Sequence, residues 1–155
     1  MIIGSFGRFV AKKGFNYLIE AIALLKNQGH NINLLLGGAG EEEPILRKLV
    51  TRLNLLNEVT FLGWVEDKEK FFKRIDIFCL PSTSEPFGII LLEAIENSTP
   101  IVATKSGGPG EIIRDKQDGL LTEIESGTDL AEKLSMLILS QEEANKLSSS
   151  AYLRL

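Results

Sequence analysis

The chain has 155 residues, 44% of them hydrophobic and 25% charged, with 17 basic and 21 acidic side chains and a formal net charge of −4. A chain of this length buries roughly 68–70% of the surface that its unfolded form exposes, so one domain with a real core is expected and disorder or a collagen-like repeat is excluded. The mild acidity, with no Lys/Arg cluster, argues against a nucleic-acid binder, and no apolar run approaches the roughly 20 residues of a membrane span.

Short apolar runs alternate with helix-period segments, the pattern of a parallel sheet with helices on both faces. The start, Met1 to Arg8, has neither the charged opening nor the long apolar stretch of a signal peptide. The first strand is expected from Ile2-Ile3 through Phe9-Val10. Phe15, Leu18, Ile19, Ile22 and Leu25 then keep the spacing of an amphipathic helix that ends near Gln28-Gly29. His30, the only histidine, falls in the loop after it. Ile32 to Leu36 reads as a buried strand closed by the turn Gly37 to Gly40. The next helix opens at Glu41 to Pro44 and carries Arg47, Lys48 and Arg52 further on, the order that the helix dipole favours.

Val59 to Leu62 is the third strand, ended by Gly63. A short helix through Lys70, Phe71 and Phe72 leads to the fourth, Ile77 to Leu80. That run contains Cys79, the one cysteine, whose expected state is a buried thiol in a reducing compartment. The loop Pro81 to Gly88 opens a helix with Ile89, Leu92 and Ile95. Ile101 to Ala103 is a fifth strand, and Ser106 to Gly110 precedes a helical turn near Ile112-Ile113. The short run Gly119 to Leu121 is followed by a helix from about Asp129 to Leu139, and Ser140 to Leu155 reads as one more. The expected fold is therefore a single Rossmann-like, doubly wound α/β domain over residues 1–155 with about six parallel strands.

Ligands of such sheets lie outside the carboxyl ends of the strands. Four features fall there: Gly7-Arg8 with Lys13, Gly38 to Gly40, Gly63 to Val65, and Ser82 to Gly88. None is a P-loop or a dinucleotide fingerprint. Glu85 and Glu93 stand eight positions apart, a spacing that Glu58 and Glu66 share, so context must carry the argument. Glu85 precedes a helix whose first free amides, around Gly88 to Ile90, form an anion site facing the rim. Glu93 is expected on the same side of that helix region, and Gly88 allows a ligand close to the backbone. Arg8 and Lys13, each as well read alone as a surface cation, would together with the helix end cradle a pyrophosphate. Two carboxylates beside it would reach hydroxyl groups, which is the chemistry of a nucleotide sugar.

The ordered set Gly7-Arg8 to Lys13-Gly14, Gly38-Ala39-Gly40, Phe61 to Val65, Leu80-Pro81-Ser82, Glu85-Pro86-Phe87-Gly88 to Glu93-Ala94, and Gly107-Gly108 with Glu111 resembles the donor-binding half of family 4 retaining glycosyltransferases of the GT-B fold, over nearly the whole chain. The resemblance implies catalytic roles for Arg8 and Lys13, which would neutralise the donor diphosphate and the leaving nucleoside diphosphate, and for Glu85 beside the donor sugar. It implies that Glu93 binds the ribose hydroxyls, that the amides of Ile89 and Ile90 hold phosphate beside Gly88, and that Val65 meets the base through its main chain. It further implies transfer with retention of anomeric configuration, no cofactor and no divalent metal, in keeping with the absence of an Asp-x-Asp motif.

Lys12 stands where the family often has an acidic residue. The family's N-terminal acceptor domain and its final crossover segment are expected to be absent, so that the chain alone binds a nucleotide-sugar donor weakly and transfers little or nothing. The expected setting is cytoplasmic glycan or envelope polysaccharide synthesis, or the inner face of the membrane by way of the acceptor domain. The other readings are a non-catalytic module or decayed fragment that docks on a separate acceptor-domain chain through Leu147, Tyr152, Leu153 and Leu155, and a nucleotide-sugar epimerase of the same fold.

Overall fold

A computed structural model describes residues 1–155. Its elements in chain order are β1 (Ile2–Phe6), a 3-10 turn (Ala11–Lys13), α1 (Phe15–Asn27), β2 (Asn33–Gly37), α2 (Glu43–Arg52), β3 (Val59–Gly63), α3 (Lys68–Arg74), β4 (Ile77–Leu80), α4 (Ile89–Glu96), β5 (Ile101–Thr104), α5 (Gly108–Ile112), β6 (Leu120–Thr122), α6 (Gly127–Leu139) and α7 (Gln141–Arg154). All six strands are parallel and lie in the order β3-β2-β1-β4-β5-β6. This is the doubly wound α/β sheet that the alternating pattern predicts. The chain winds outward one way from β1 and the other way from β4, so the loops leaving these two central strands part and leave a crevice at their carboxyl ends.

Alternation within each strand divides the core in two. Ile3, Leu34, Leu36, Ile77, Cys79 and Val102 point to one face, where they pack with Leu18, Ile22 and Leu25 of α1, Leu49 of α2 and Leu130 and Leu134 of α6. Leu35, Phe78, Leu80, Ile101 and Ala103 point to the other, against Phe71 and Phe72 of α3 and Leu91, Ala94 and Ile95 of α4. Burial on both faces is why these strands read as continuous apolar runs. The last helix serves both layers: Ala144 and Leu147 belong to the first core and Ala151 to the second. No helix is long and apolar enough to cross a membrane.

The largest boundary difference from expectation is in the first strand. The first strand stops at Phe6 and does not run to Val10. Its neighbour β2 ends at Gly37, so beyond Phe6 the chain pairs with a turn instead of a strand: Gly7 N–H donates to Gly37 O (3.1 Å) and Phe9 N–H to Ala39 O (2.9 Å). Phe9 is fully buried all the same, with its ring edge-on to Phe15 and Phe61 at 5.4 and 6.2 Å between centroids. A buried loop phenylalanine imitates strand periodicity in the sequence. The helical turn expected near Ile112-Ile113 lies slightly earlier, at Gly108–Ile112, because Pro109 suits a first helical turn.

The carboxylate of Asp118, 1% exposed, fastens α7 to the sheet edge. It accepts from Arg114 Nε (2.8 Å), Arg114 Nη2 (3.0 Å), the Arg114 amide (3.1 Å), Ser150 Oγ (3.1 Å) and Arg154 Nη1. The Arg114 guanidinium, against the opposing effect of burial, holds this carboxyl well below the usual carboxylate range, with help from the Arg114 amide, Arg154 and Ser150. A carboxyl whose native pKa is depressed contributes stability that is present in full above the ordinary carboxyl value and is lost as pH falls from there through the native value. Asp118→Asn is therefore expected to cost about 2 kcal/mol at pH 7, read from urea unfolding. The gap between the two proteins should shrink as pH falls below about 4.

Candidate active site

The crevice is closed at its base by a seam between the loop after β1 and the loop after β4. Gly14 caps the 3-10 turn and starts α1 at φ 67°, and a Cβ there would collide with the Pro81 carbonyl oxygen. Only glycine meets both conditions. Next to this close approach, Lys12 O accepts from the Thr83 amide (2.8 Å) and from Thr83 Oγ1 (3.3 Å). The seam brings Lys13 to Glu85, with Nζ 2.7 Å from Oε2. Their side chains are 23% and 12% exposed, so the pair is shielded compared with an ordinary surface ion pair. Ser82 Oγ, 3.3 Å away, donates to the same oxygen. An ammonium has three donors, and Glu85 occupies one of those of Lys13.

A third loop pins Glu85 from behind. The Glu85 amide donates to Ser106 O (3.0 Å) and the Gly108 amide to Glu85 O (2.7 Å). Thr104 Oγ1 donates to Ser82 O at 2.5 Å. The sequence therefore places a carboxylate on a loop whose backbone is tied on both sides. Gly88 follows as the N-cap of α4 at φ 66°, and the first turn of this helix holds neither an acidic nor a basic residue. The amides of Ile89 and Ile90 stand at its open end, where an α-helix offers them no carbonyl and its dipole favours an anion. Phe87 and Ile89 flank this end, 72% and 64% exposed.

Glu93 lies four residues into the helix region. Its Oε1 accepts from Lys68 Nζ at 3.1 Å, while its Oε2 is shielded from solvent and accepts no hydrogen bond. The two glutamates are not a helical pair. Glu85 sits in the loop and engages Lys13, whereas Glu93 sits on α4 and engages Lys68, because helical geometry begins only at Ile89.

Val65 lines a recess of about 510 Å³ with Phe6, Gly38, Trp64, Glu66 and Lys68. Phe6 ends β1 and packs edge-on against Phe71 (4.9 Å between centroids), which fixes one wall. Trp64, 63% exposed, forms another. Arg8 lies on the same rim, exposed, and makes no ion pair with Glu85, whose cation is Lys13. No three His, Cys, Asp or Glu side chains are grouped to hold a metal ion.

The structure thus joins Lys13 to Glu85 and leaves Arg8, Val65 and Glu93 at separate stations around the crevice. It gives Ser82, at the start of the rim loop, a bond to Glu85, and it adds Thr104, Phe6 and Lys68, to which the sequence assigned no part. Lys68 had a weak signal, a cation at the start of a helix where the dipole disfavours one.

The family model described as "Glycosyl transferases group 1" matches residues 1–154. The lipopolysaccharide core biosynthesis glycosyltransferase LpsE of Rhizobium meliloti is 35% identical over 151 residues, 97% of this chain and 43% of LpsE. Among solved structures, HepE of Anabaena in complex with UDP-glucose matches with a TM-score of 0.92 at 31% identity, over 99% of this chain and 43% of HepE. The C-terminal domain of a glycosyl transferase group 1 family protein (LpcC) of Francisella tularensis matches with a TM-score of 0.87 at 30% identity, over 97% of this chain and 82% of that one. The chain spans less than half the length of the curated relatives it matches.

Gly14→Ala tests the seam. It is expected to cost about 1–3 kcal/mol of stability by urea unfolding, from backbone strain and from displacement of the Pro81 carbonyl.

Proposed function

Because the chain belongs to the glycosyl transferases group 1 family, we propose that it is the part of a hexosyltransferase that binds a nucleotide-diphosphate sugar, with the sugar passing to an acceptor with retention of anomeric configuration. The observation that supports this most is the Lys13–Glu85 pair of 2.7 Å beside the open end of α4. It sets a cation with spare donors, a carboxylate and free amides around one opening. UDP and UDP-glucose in the crystal structures of Anabaena HepE support a nucleoside diphosphate as the leaving group.

In this reading the base enters the Val65 recess and meets main-chain groups there, with Phe6 and Trp64 as walls. Glu93 accepts from the ribose hydroxyls. The diphosphate lies over Gly88 and takes hydrogen bonds from the Ile89 and Ile90 amides, from the free N–H groups of Lys13 and from Arg8, whose unpaired guanidinium is ready for it. Negative charge grows on the outer phosphate oxygen as the glycosidic bond breaks. In this reading the cations and amides meet the charge where it develops, so they stabilise the departing nucleoside diphosphate more than the bound donor. Lys13 and Arg8 take the role that a divalent metal plays elsewhere. The Glu85 carboxylate holds hydroxyls of the transferred sugar and keeps its anomeric carbon on the acceptor side. The acceptor hydroxyl bonds to the anomeric carbon on the face that the diphosphate leaves, which preserves configuration, and its proton passes to the departing phosphate oxygen; the acceptor is held by a second domain on the same or another polypeptide. The LpsE relationship supports an envelope glycan as the acceptor class, and the cytoplasm or the inner face of the membrane is the setting proposed with it.

Without that second domain the donor keeps part of its contacts and water is not excluded, so transfer is slow or absent. Calorimetric titration of this chain with UDP and GDP is expected to give a Kd on the order of 10⁻⁴ M or weaker for the preferred nucleotide. Lys13→Met and Glu93→Ala should each weaken it by about tenfold or more, since each removes a charged hydrogen bond. Silence with both nucleotides at millimolar concentration, or unchanged affinity in both variants, would overturn the proposal.

A further inference from the structure

Lys68 occupies a place that its own helix does not explain. It is the first residue of α3, where the helix dipole disfavours a cation, and the helix already has its cap in Asp67, which accepts from the Lys70 amide at 3.0 Å. Its ammonium instead lies between two parts of the crevice. Nζ is 5.8 Å from the centroid of the Phe6 ring, a wall of the Val65 recess, and 3.1 Å from Glu93 Oε1. On its far side Lys68 lines a shallow polar hollow with Glu69, Glu93, Glu96 and Asn97.

Glu93 is held in a conformation that it would not choose freely. Its Oε2 is cut off from solvent without a donor, which is costly for a carboxylate oxygen. A side chain 31% exposed can turn outward and hydrate that oxygen. The contact that opposes the turn is the ion pair with Lys68. Asn97 Nδ2 donates to the Glu93 carbonyl (2.9 Å) and fixes the backbone, not the carboxylate. Oε1, engaged by one donor, has a second lone pair for another.

We propose that Lys68 is a positioning residue for the nucleotide. By holding Glu93 Oε1 beside the recess, it presents the carboxylate ready-made to the ribose hydroxyls and so sets how strongly the site distinguishes a ribose that has them from one that lacks them. The inference rests on the proposed ribose contact of Glu93. With Lys68 removed, the carboxylate swings out to water, and its ordering must then be supplied at each binding event.

The test compares UDP with 2′,3′-dideoxy-UDP by calorimetry in the wild-type chain, Lys68→Met, Lys68→Arg and Glu93→Gln, with thermal unfolding as the check on folding. The wild type should prefer UDP by about tenfold or more. Lys68→Met should reduce that preference at least threefold, chiefly through weaker UDP binding with the dideoxy affinity little changed, and Lys68→Arg should keep it. A merely structural lysine would weaken both nucleotides together. Equal weakening of both, or a preference in Lys68→Met as large as in the wild type, overturns the role of Lys68 while the donor-binding reading stands. A wild type that binds UDP without preferring it, or a Glu93→Gln chain that keeps the full preference, overturns the ribose contact of Glu93 and this inference with it. Where GDP proves the nucleotide bound, the same comparison is made with 2′,3′-dideoxy-GDP, and absence of binding by both UDP and GDP overturns both.

Discussion

The seam between the loops that leave β1 and β4 is the constraint on which the crevice depends. At this reversal of the winding the two loops have no strand hydrogen bonds to hold them. The close approach of Gly14 to the Pro81 carbonyl and the two hydrogen bonds from Thr83 to Lys12 O tie them instead. From that tie follow the register of Lys13 with Glu85, 72 residues away in the chain, and the angle at which α4 begins. Hydrogen bonds exchanged between the backbone of Glu85 and the loop after β5 complete the frame. The chemistry-bearing groups are thus placed by main-chain contacts, which tolerate variation in side chains better than a site held by side chains alone.

Charge is arranged on the same principle. The chain carries four more negative than positive side chains, yet the carboxylates that matter here each have a cation assigned: Glu85 to Lys13, Glu93 to Lys68, and Asp118 to Arg114 and Arg154. Arg8 remains without such a partner. Local pairing, together with the dipole of α4, lets an acidic domain present an opening suited to an anion without a broad basic surface. The limited reach of such a field, about 8 Å at physiological ionic strength, confines the attraction to the crevice itself.

Much of this was legible in the residues. The buried strands Leu34 to Leu36 and Ile77 to Leu80 announced a sheet covered on both sides, and the glycines and prolines between runs marked the rim. What was not legible has two causes. Phe9 shows that burial in a loop and burial in a strand look alike when the partner surface is unknown. Lys68 and Glu93 show that an ion pair between elements 25 residues apart leaves no periodic trace. The equal spacing of Glu85 and Glu93 suggested a shared helical face, but that spacing spans a loop and a helix, and the two side chains answer to different cations. The recess of Phe6, Gly38 and Trp64 likewise draws on three separated segments, and only the folded sheet brings them together.

Cys79 gives the molecule an internal clock. It is fully buried in β4 beside Val102, and burial pushes its thiol far above the ordinary range. Thiolate is the reactive species, so reagents in solution do not reach or find it while the sheet is closed. Its rate of chemical labelling therefore counts openings of the central strand pair and is blind to motion at the rim. Since the Pro81 to Gly88 loop departs directly from β4, the same sulfur reports whether a ligand in the crevice slows breathing of the strand beneath it.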